Sequence, residues 1–288
     1  MLNKNIETFL GCEASYEESG IVLFGAPFDS TTSYRPGTRF ASSAIRHESY
    51  GLELYSPYQD KDLSDYSIFD SGDLELCFGN TSKVLDAISE RADIIINDGK
   101  IPFLIGGEHL VTLGSVRSLL KKYPDLNIIH FDAHADLRDD YLGEKLSHAC
   151  VLRRCHDLLG DGRIFQFGIR SGDRSEFVWA KEGHTFMHKF DLDGIEEVLI
   201  KLQGKPVYFT IDLDVLDSSC FPGTGTPEAG GVDFMSLIGA IEEVCAAADV
   251  VGCDVVELSP NLDVSGASTA LACKVVREFL LALQKQKI

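Results

Sequence analysis

The chain has 288 residues, 44% of them hydrophobic and 25% charged, enough apolar mass to bury a sizeable core. Acidic residues outnumber basic ones by 45 to 26, a net charge of -19, which argues against a nucleic-acid partner because phosphate backbones select basic surfaces. No apolar run reaches the roughly 18 residues of a membrane span, and the opening MLNKNIETFLGCEASYEESG lacks the basic start and apolar run of a signal peptide.

In chain order the strand candidates are IVLFGA from Ile21, YSIFD from Tyr66, PFLIGG from Pro102 and NIIHFD from Asn127. RIFQFG from Arg163, HTFMH from His184, PVYFTIDLD from Pro206 and DVVGCDVVEL from Asp249 follow. Between them lie helical patterns. KVLDAISERADIIIND sets Val84, Leu85, Ile88 and Ala92 on one stripe, and further helices are expected from near His109, Ser147, Ser175, Gly194, Asp233 and Ala267. Near-continuous apolar strands alternating with helices predict a parallel sheet covered on both faces. No Pro/Ser-rich linker or repeat divides the chain, so residues 1–288 are expected to form a single domain. Eight strands fit an open three-layer sandwich or a closed barrel, and periodicity does not separate the two.

The eight cysteines (Cys12, Cys77, Cys150, Cys155, Cys220, Cys245, Cys253, Cys273) form no CxxC pair and no zinc-ribbon spacing. A chain of this length needs no disulfide staples, and a reduced, cytoplasmic protein is expected.

Both architectures place function beyond the carboxyl ends of the strands. There the sequence sets His109 after PFLIGGEH, DAHAD (Asp132, His134, Asp136) after NIIHF, DLD (Asp212, Asp214) after VYFTI, and Glu257 after VVGCDVV. In an extended segment, positions i, i+2 and i+4 project to one side, so Asp132, His134 and Asp136 converge with alanines between them. Apolar strands ending in unpaired buried acids are costly unless a cation compensates the charge. Alone, His109 beside a Gly-Gly turn is more often a capping or core histidine, and a lone DLD more often a loop or cap. The joint pattern at successive strand ends favours metal. Two imidazoles and four carboxylates without thiolate are too oxygen-rich for structural zinc. The imidazoles disfavour calcium or magnesium, leaving Mn(II), with Fe(II) or Co(II) behind it. Shared carboxylates allow two ions about 3.5–4 Å apart.

These segments, with GAPFDSTTSYRPGTRFASSAIR (residues 25–46), GGEH (106–109), HFDAHAD (130–136), TIDLDVLD (210–217), PGTGTPEAGG (222–231) and DVVELSP (254–260), resemble the ureohydrolase family of arginases and agmatinases over nearly the whole chain. The resemblance implies an α/β fold, a three-layer α/β/α sandwich around an eight-stranded, mainly parallel sheet. It also implies two Mn2+ per subunit, with His109, Asp132, Asp136 and Asp212 on one ion and Asp132, His134, Asp212 and Asp214 on the other. The implied reaction is attack of a metal-activated hydroxide on a guanidinium carbon, with Asp136 accepting the proton. His148, in KLSHACVLRR, would be the shuttle and Glu257 the guanidinium partner. Without the resemblance, Glu257 reads as a strand-end surface acid and His148 as an exposed first-turn residue capped by Ser147. Gly37, Gly223 and Gly225 are expected in tight turns, Arg35 and Arg39 on the surface or at a subunit contact, and Cys150 as a small buried filler.

The stretch LRDDYLGEKLSH (residues 137–148) lacks the Asn- and Ser-containing loop with which arginases grip the head of arginine. It resembles agmatinases, which implies hydrolysis of agmatine to putrescine and urea, with Asp139, Asp140 or Glu144 as candidates to attract the distal amine. Rivals are guanidinobutyrate, guanidinopropionate, formiminoglutamate or arginine on the same centre, with Arg153 and Arg154 available for an acidic tail. A non-catalytic polyamine-binding relative is the rival of another class. Resemblance also suggests a homo-oligomer, a trimer or hexamer.

Overall fold

The computed structural model describes residue 2 and residues 5–284. In chain order the elements are β1 (Ile21–Gly25), α1 (Ala41–Ser49), β2 (Tyr55–Ser56), β3 (Lys61–Asp62), β4 (Ile68–Asp73), α2 (Thr81–Asn97), β5 (Ile101–Ile105), α3 (Thr112–Lys122) and β6 (Asn127–Phe131). They continue with α4 (Val151–Leu159), β7 (Ile164–Phe167), α5 (Arg174–Lys181), β8 (Phe186–Met187), α6 (Ile195–Leu202), β9 (Pro206–Asp212), α7 (Phe234–Ala247), β10 (Asp249–Val256) and α8 (Ala267–Ala282). Eight strands form one sheet in the order β4-β1-β5-β10-β9-β6-β7-β8, every pairing parallel. The end strands β4 and β8 do not meet, so the sheet is open and the barrel alternative is excluded.

Alternation along each strand divides the core. Ile21, Leu23, Phe103, Ile129, Phe131, Phe209 and Ile211 point to one face, where α1, α6, α7 and α8 cover them. Val22, Phe24, Leu104, Ile128 and Tyr208 point to the other, beneath α2, α3 and α4. This is a three-layer sandwich, and the period-2 pattern is its cause.

Most expected helices begin within a residue or two of their sequence signals. Asn80 caps α2 by accepting from the Lys83 N–H at 3.0 Å, and Asp233 caps α7 by accepting from the Ser236 N–H at 2.7 Å. At His109 and His148 the chain first makes one tight 3-10 turn, and α3 and α4 start three residues later. HTFMH shortens to a two-residue edge strand, and the β2–β3 hairpin was not expected. The other edge, β4, is covered by the chain's beginning. The Asn5 and Ala14 N–H groups donate to the Asp70 and Ile68 carbonyls at 3.3 and 3.2 Å, and Glu13 bridges to Phe69.

Register sets the site. Asp212 lies opposite Val256, Ile211 opposite both Phe131 and Val255, and Ile105 opposite Val255. The carboxyl ends of β5, β10, β9 and β6 are therefore level and adjacent. Among the described residues no helix is long and apolar enough to cross a membrane.

Candidate metal centre

Each of these four strands runs into a short segment carrying polar side chains. After β5 the backbone passes so close to residue 28 that a Cβ on Gly107 would stand 1.9 Å from the Phe28 carbonyl oxygen, and that approach delivers His109 to the sheet's edge. After β6, Ala133 and Ala135 are buried in packing while Asp132, His134 and Asp136 converge. At the end of β9, Asp212 Oδ1 accepts from the Asp214 N–H at 2.9 Å, a turn that aims both carboxylates at the same space.

All six residues meet. His109 Nδ1 lies 3.0 Å from Asp132 Oδ2, 3.3 Å from Asp212 Oδ2 and 3.4 Å from Asp136 Oδ2. His134 Nδ1 lies 3.0 Å from Asp214 Oδ2 and 3.5 Å from Asp132 Oδ1. Asp132 thus stands between the two imidazoles.

The orientation of His109 is fixed from behind. Its Nε2 is 2.9 Å from Thr210 Oγ1, and the Thr210 hydroxyl donates to Asp254 Oδ1 at 2.5 Å. Thr210 can then only accept from His109, so Nε2 carries the hydrogen and the Nδ1 lone pair faces the carboxylates. Asp254 also accepts from Thr112 and Tyr208 hydroxyls, each at 2.6 Å.

His109 Nδ1 and Asp214 Oδ2 are buried without a hydrogen-bond partner. A lone pair facing three carboxylate oxygens is repulsive, and a cation between them reverses the sign. In the cation-free chain protons answer the same field. Burial disfavours a charged ring, yet Asp132 and Asp212 hold His109 well above the usual histidine range, and Asp214 and Asp132 do the same for His134. Burial, reinforced by neighbouring carboxylates, raises Asp136 and Asp212. Two imidazoles and four carboxylates fit an octahedral divalent ion of the Mn2+ type, and His130 gives the cluster a further support.

His130 carried no signal beyond its place in an apolar strand. It is fully buried; its Nε2 donates to Asp132 Oδ2 at 2.8 Å, while the Gln166 amide donates to its Nδ1 at 3.1 Å. Its place two residues before Asp132, on the same strand face, is the clue that was available.

Glu257 and His148 are buried, not the exposed residues that their local sequences suggest. Glu257 Oε1 accepts from the His109 N–H at 2.7 Å and lies 3.6 Å from His148 Nδ1. Ser147 precedes the His148 turn but makes no side-chain cap. The His148 N–H donates to Thr31 Oγ1 at 3.0 Å, and the Ser33 N–H donates to His148 Nε2 at 3.1 Å. Glu108 anchors that loop, accepting from the Thr31 N–H at 2.8 Å and from its hydroxyl; burial pushes Glu108 up to about 7. For His148, burial favours the neutral ring, but Glu257, Asp136 and Glu108 outweigh it and raise the group to about 9. Ser33 pulls the other way, because its N–H suits a neutral ring protonated on Nδ1. Opposed biases suit a group that exchanges a proton. Asp136 and Glu257 also share backbone strain, with φ of +53° and +67° in the left-handed region.

A cavity of about 230 Å³ opens here, lined by His134, Asp136, His148, Asp212 and Glu257 together with Arg138 and Tyr141. Asp139, Asp140 and Glu144 are not in its wall. Asp139 pairs with Arg154 at 2.9 Å, Asp140 accepts from the Gly143 N–H, and Glu144 from the Leu146 N–H. Arg153 stands over Trp179, 4.2 Å from the ring centre, and Arg154 also holds Asp157 at 3.0 Å. The sequence candidates for both kinds of substrate tail are thus turned to other partners. Arg35 is half-buried and likewise committed, donating to the Thr224 and Gly225 carbonyls at 2.8 and 3.0 Å, while Arg39 is exposed and pairs with Asp29. Gly37 takes a positive φ of +148°, whereas Gly223 and Gly225 owe their place to close approach, a Cβ falling 2.6 Å from Ser268 Cβ and 2.9 Å from the Arg35 carbonyl. Cys150 is fully buried, and burial pushes its thiol up to about 12, as befits a filler.

The profile of the arginase family matches residues 19–282. The chain belongs to the arginase family. Agmatinase of Bacillus subtilis (strain 168) is 48% identical over 281 residues, covering 97% of each chain. A solved structure from Clostridium difficile is 52% identical with a TM-score of 0.90, covering 93% of this chain and 98% of that one. The agmatine ureohydrolase of Thermoplasma volcanium is 36% identical with a TM-score of 0.88, over 97% and 94%. The protein is thus a ureohydrolase, an enzyme acting on guanidino C–N bonds, most like the agmatinases. Members of the family generally use a binuclear metal centre, and this ureohydrolase has His/Asp groups that could bind metal.

Proposed function

We propose that this ureohydrolase cleaves agmatine to putrescine and urea at two Mn2+ ions. His109, Asp132, Asp136 and Asp212 would hold one ion, and Asp132, His134, Asp212 and Asp214 the other. The observation that carries the reading is the His109 ring, whose Nε2 is committed to Thr210 while Nδ1 faces three carboxylates. When bound, the ions would acidify water at neutral pH and offset developing charge. The chain's own residues do the rest. Glu257 keeps Oε2 for the guanidinium while Oε1 accepts from His109, Asp136 takes a proton within the cavity, and His148 carries protons between the cavity and the leaving amine. Its neighbours Ser33 and Thr31 hold the imidazole in place for that exchange.

Relatives named agmatinase and the absence of the arginase-type polar loop support agmatine. One observation favours a second reading: Arg138 lines the cavity and could meet an acidic tail, as in guanidinobutyrate. Arg138 is partly neutralised by Glu176 and Asp173, each 3.7 Å away, which weakens that alternative. Mn-loaded protein should release urea from agmatine and not from arginine or guanidinobutyrate. Urea from guanidinobutyrate alone would keep the centre and reverse the substrate assignment. A homotrimer or hexamer acting in the cytoplasm completes the proposal. Eight free cysteines support the compartment, and light scattering tests the assembly.

A further inference from the structure

At the opposite pole of the sheet, His156, Asp161 and His184 bring three metal-competent side chains together. His156 lies in the last turns of α4, Asp161 between two glycines leading into β7, and His184 in the turn leading into β8. The Gly162 N–H donates to the His184 carbonyl at 3.2 Å and clamps the two turns. His156 Nε2 and His184 Nδ1 both lie 2.7 Å from the same oxygen, Asp161 Oδ1. The rings are held from a third side. Trp179, the chain's single tryptophan, stacks on His184 at 4.4 Å and 16°, and meets His156 edge-on at 4.6 Å and 82°.

Two imidazole nitrogens and a carboxylate thus point at one place on rings that packing has already oriented. As hydrogen bonds, the two contacts need a proton on each ring and crowd both onto one oxygen. A single divalent ion would take both nitrogen lone pairs and the carboxylate charge together. Two nitrogens, one carboxylate oxygen and a solvent-facing fourth position make a zinc donor set. Zinc bonds of about 2.0–2.1 Å require ligand atoms roughly 3.3 Å apart, so Asp161 must retreat by about half an ångström. It is the exposed member of the three and sits between Gly160 and Gly162, both at positive φ, on a turn with room to move.

We propose that His156, Asp161 and His184 form a zinc site separate from the metal centre, tying the turn before β7 to the turn before β8. With three protein ligands its fourth position is left to water, and the ion's effect is to tie the two turns together. It pins the two-residue edge strand β8 at the amino ends of the strands, away from the cavity where substrate binds.

Trp179 provides the readout, and none of the three ligands belongs to the catalytic constellation. Zn2+ titrated into Mn-loaded full-length protein should give one saturable change in tryptophan fluorescence. Zinc counted per chain should exceed that of H184Q by one. D161N and H184Q should each weaken the fluorescence transition more than about tenfold, since even outer-shell partners are worth that much. W179F should lose the signal and keep the additional zinc. An unchanged midpoint in both D161N and H184Q would overturn the proposal. So would fluorescence that responds to protons but not to Zn2+, which would make the cluster an ion pair and nothing more.

Discussion

One ring nitrogen of His109 is bound to Thr210 so that the other is not free to choose its partner. Thr210→Val keeps the shape of the strand but removes the acceptor, and Mn2+ affinity should fall by about 10–100-fold, the usual cost of losing an outer-shell partner. Metal counting after dialysis, with circular dichroism to show an unchanged fold, checks it. His130→Phe should act alike through Asp132, with activity restored by excess Mn2+; activity that excess metal fails to restore would place His130 in the chemistry instead. The raised imidazoles fix the sign of a pH effect. His109 and His134 hold protons in the cation-free chain that a metal must displace, so affinity should fall as pH drops and rise as the rings give up their protons. Calorimetry in buffers of different ionisation enthalpy should detect proton release on Mn2+ binding at neutral pH, and its absence would contradict the raised imidazoles. Asp139→Ala, by contrast, should leave the KM for agmatine within about twofold, because that carboxylate serves Arg154 at an exposed site. The clustered His and Asp side chains were legible in the sequence because they stand at fixed spacing after strands. Thr210, Asp254 and His130 were not, since a polar residue inside an apolar strand shows its partner only when other strands are laid beside it.

Between elements, a buried polar tie joins α1 to β4. Arg46, 2% exposed, donates from Nε and Nη2 to both oxygens of Asp70 at 2.8 and 3.0 Å and also reaches Asp73. Asp70 Oδ2 accepts in addition from the Phe9 N–H at 2.9 Å. Arg46→Ala would strand a buried carboxylate, and denaturant unfolding should show a loss of about 3–5 kcal/mol. A loss near that of an exposed pair, under about 1 kcal/mol, would mean that water reaches Asp70. Elements were read from the sequence about as well as their length allowed. β9 and β10, long and unbroken, stand where they were expected, while HTFMH keeps only Phe186–Met187 because little packs beyond it. The α5 cap illustrates what local reading omits: Glu176 closes a capping box on Asp173, yet its other oxygen accepts from the Leu137 N–H at 2.8 Å, joining that helix to the segment after Asp136.

At the scale of the molecule, strand count and alternation left sandwich and barrel equally open, because closure depends on whether β4 meets β8 and no local pattern encodes that contact. Once open, a sheet has two borders, and a border strand is a template for another chain. β8 is too short to serve. β4 is longer, and what shields it is the stretch around Asn5, Glu13 and Ala14 laid along its outer side. That arrangement has a practical consequence for handling the protein. Deleting residues 2–14 leaves every side chain of the metal centre in place, yet uncovers a hydrogen-bonding rim and takes Phe9 out of the core. Such a trimmed chain should be made, bind Mn2+, and then be lost to polymerisation on storage, with light scattering that grows with concentration while the intact chain stays clear.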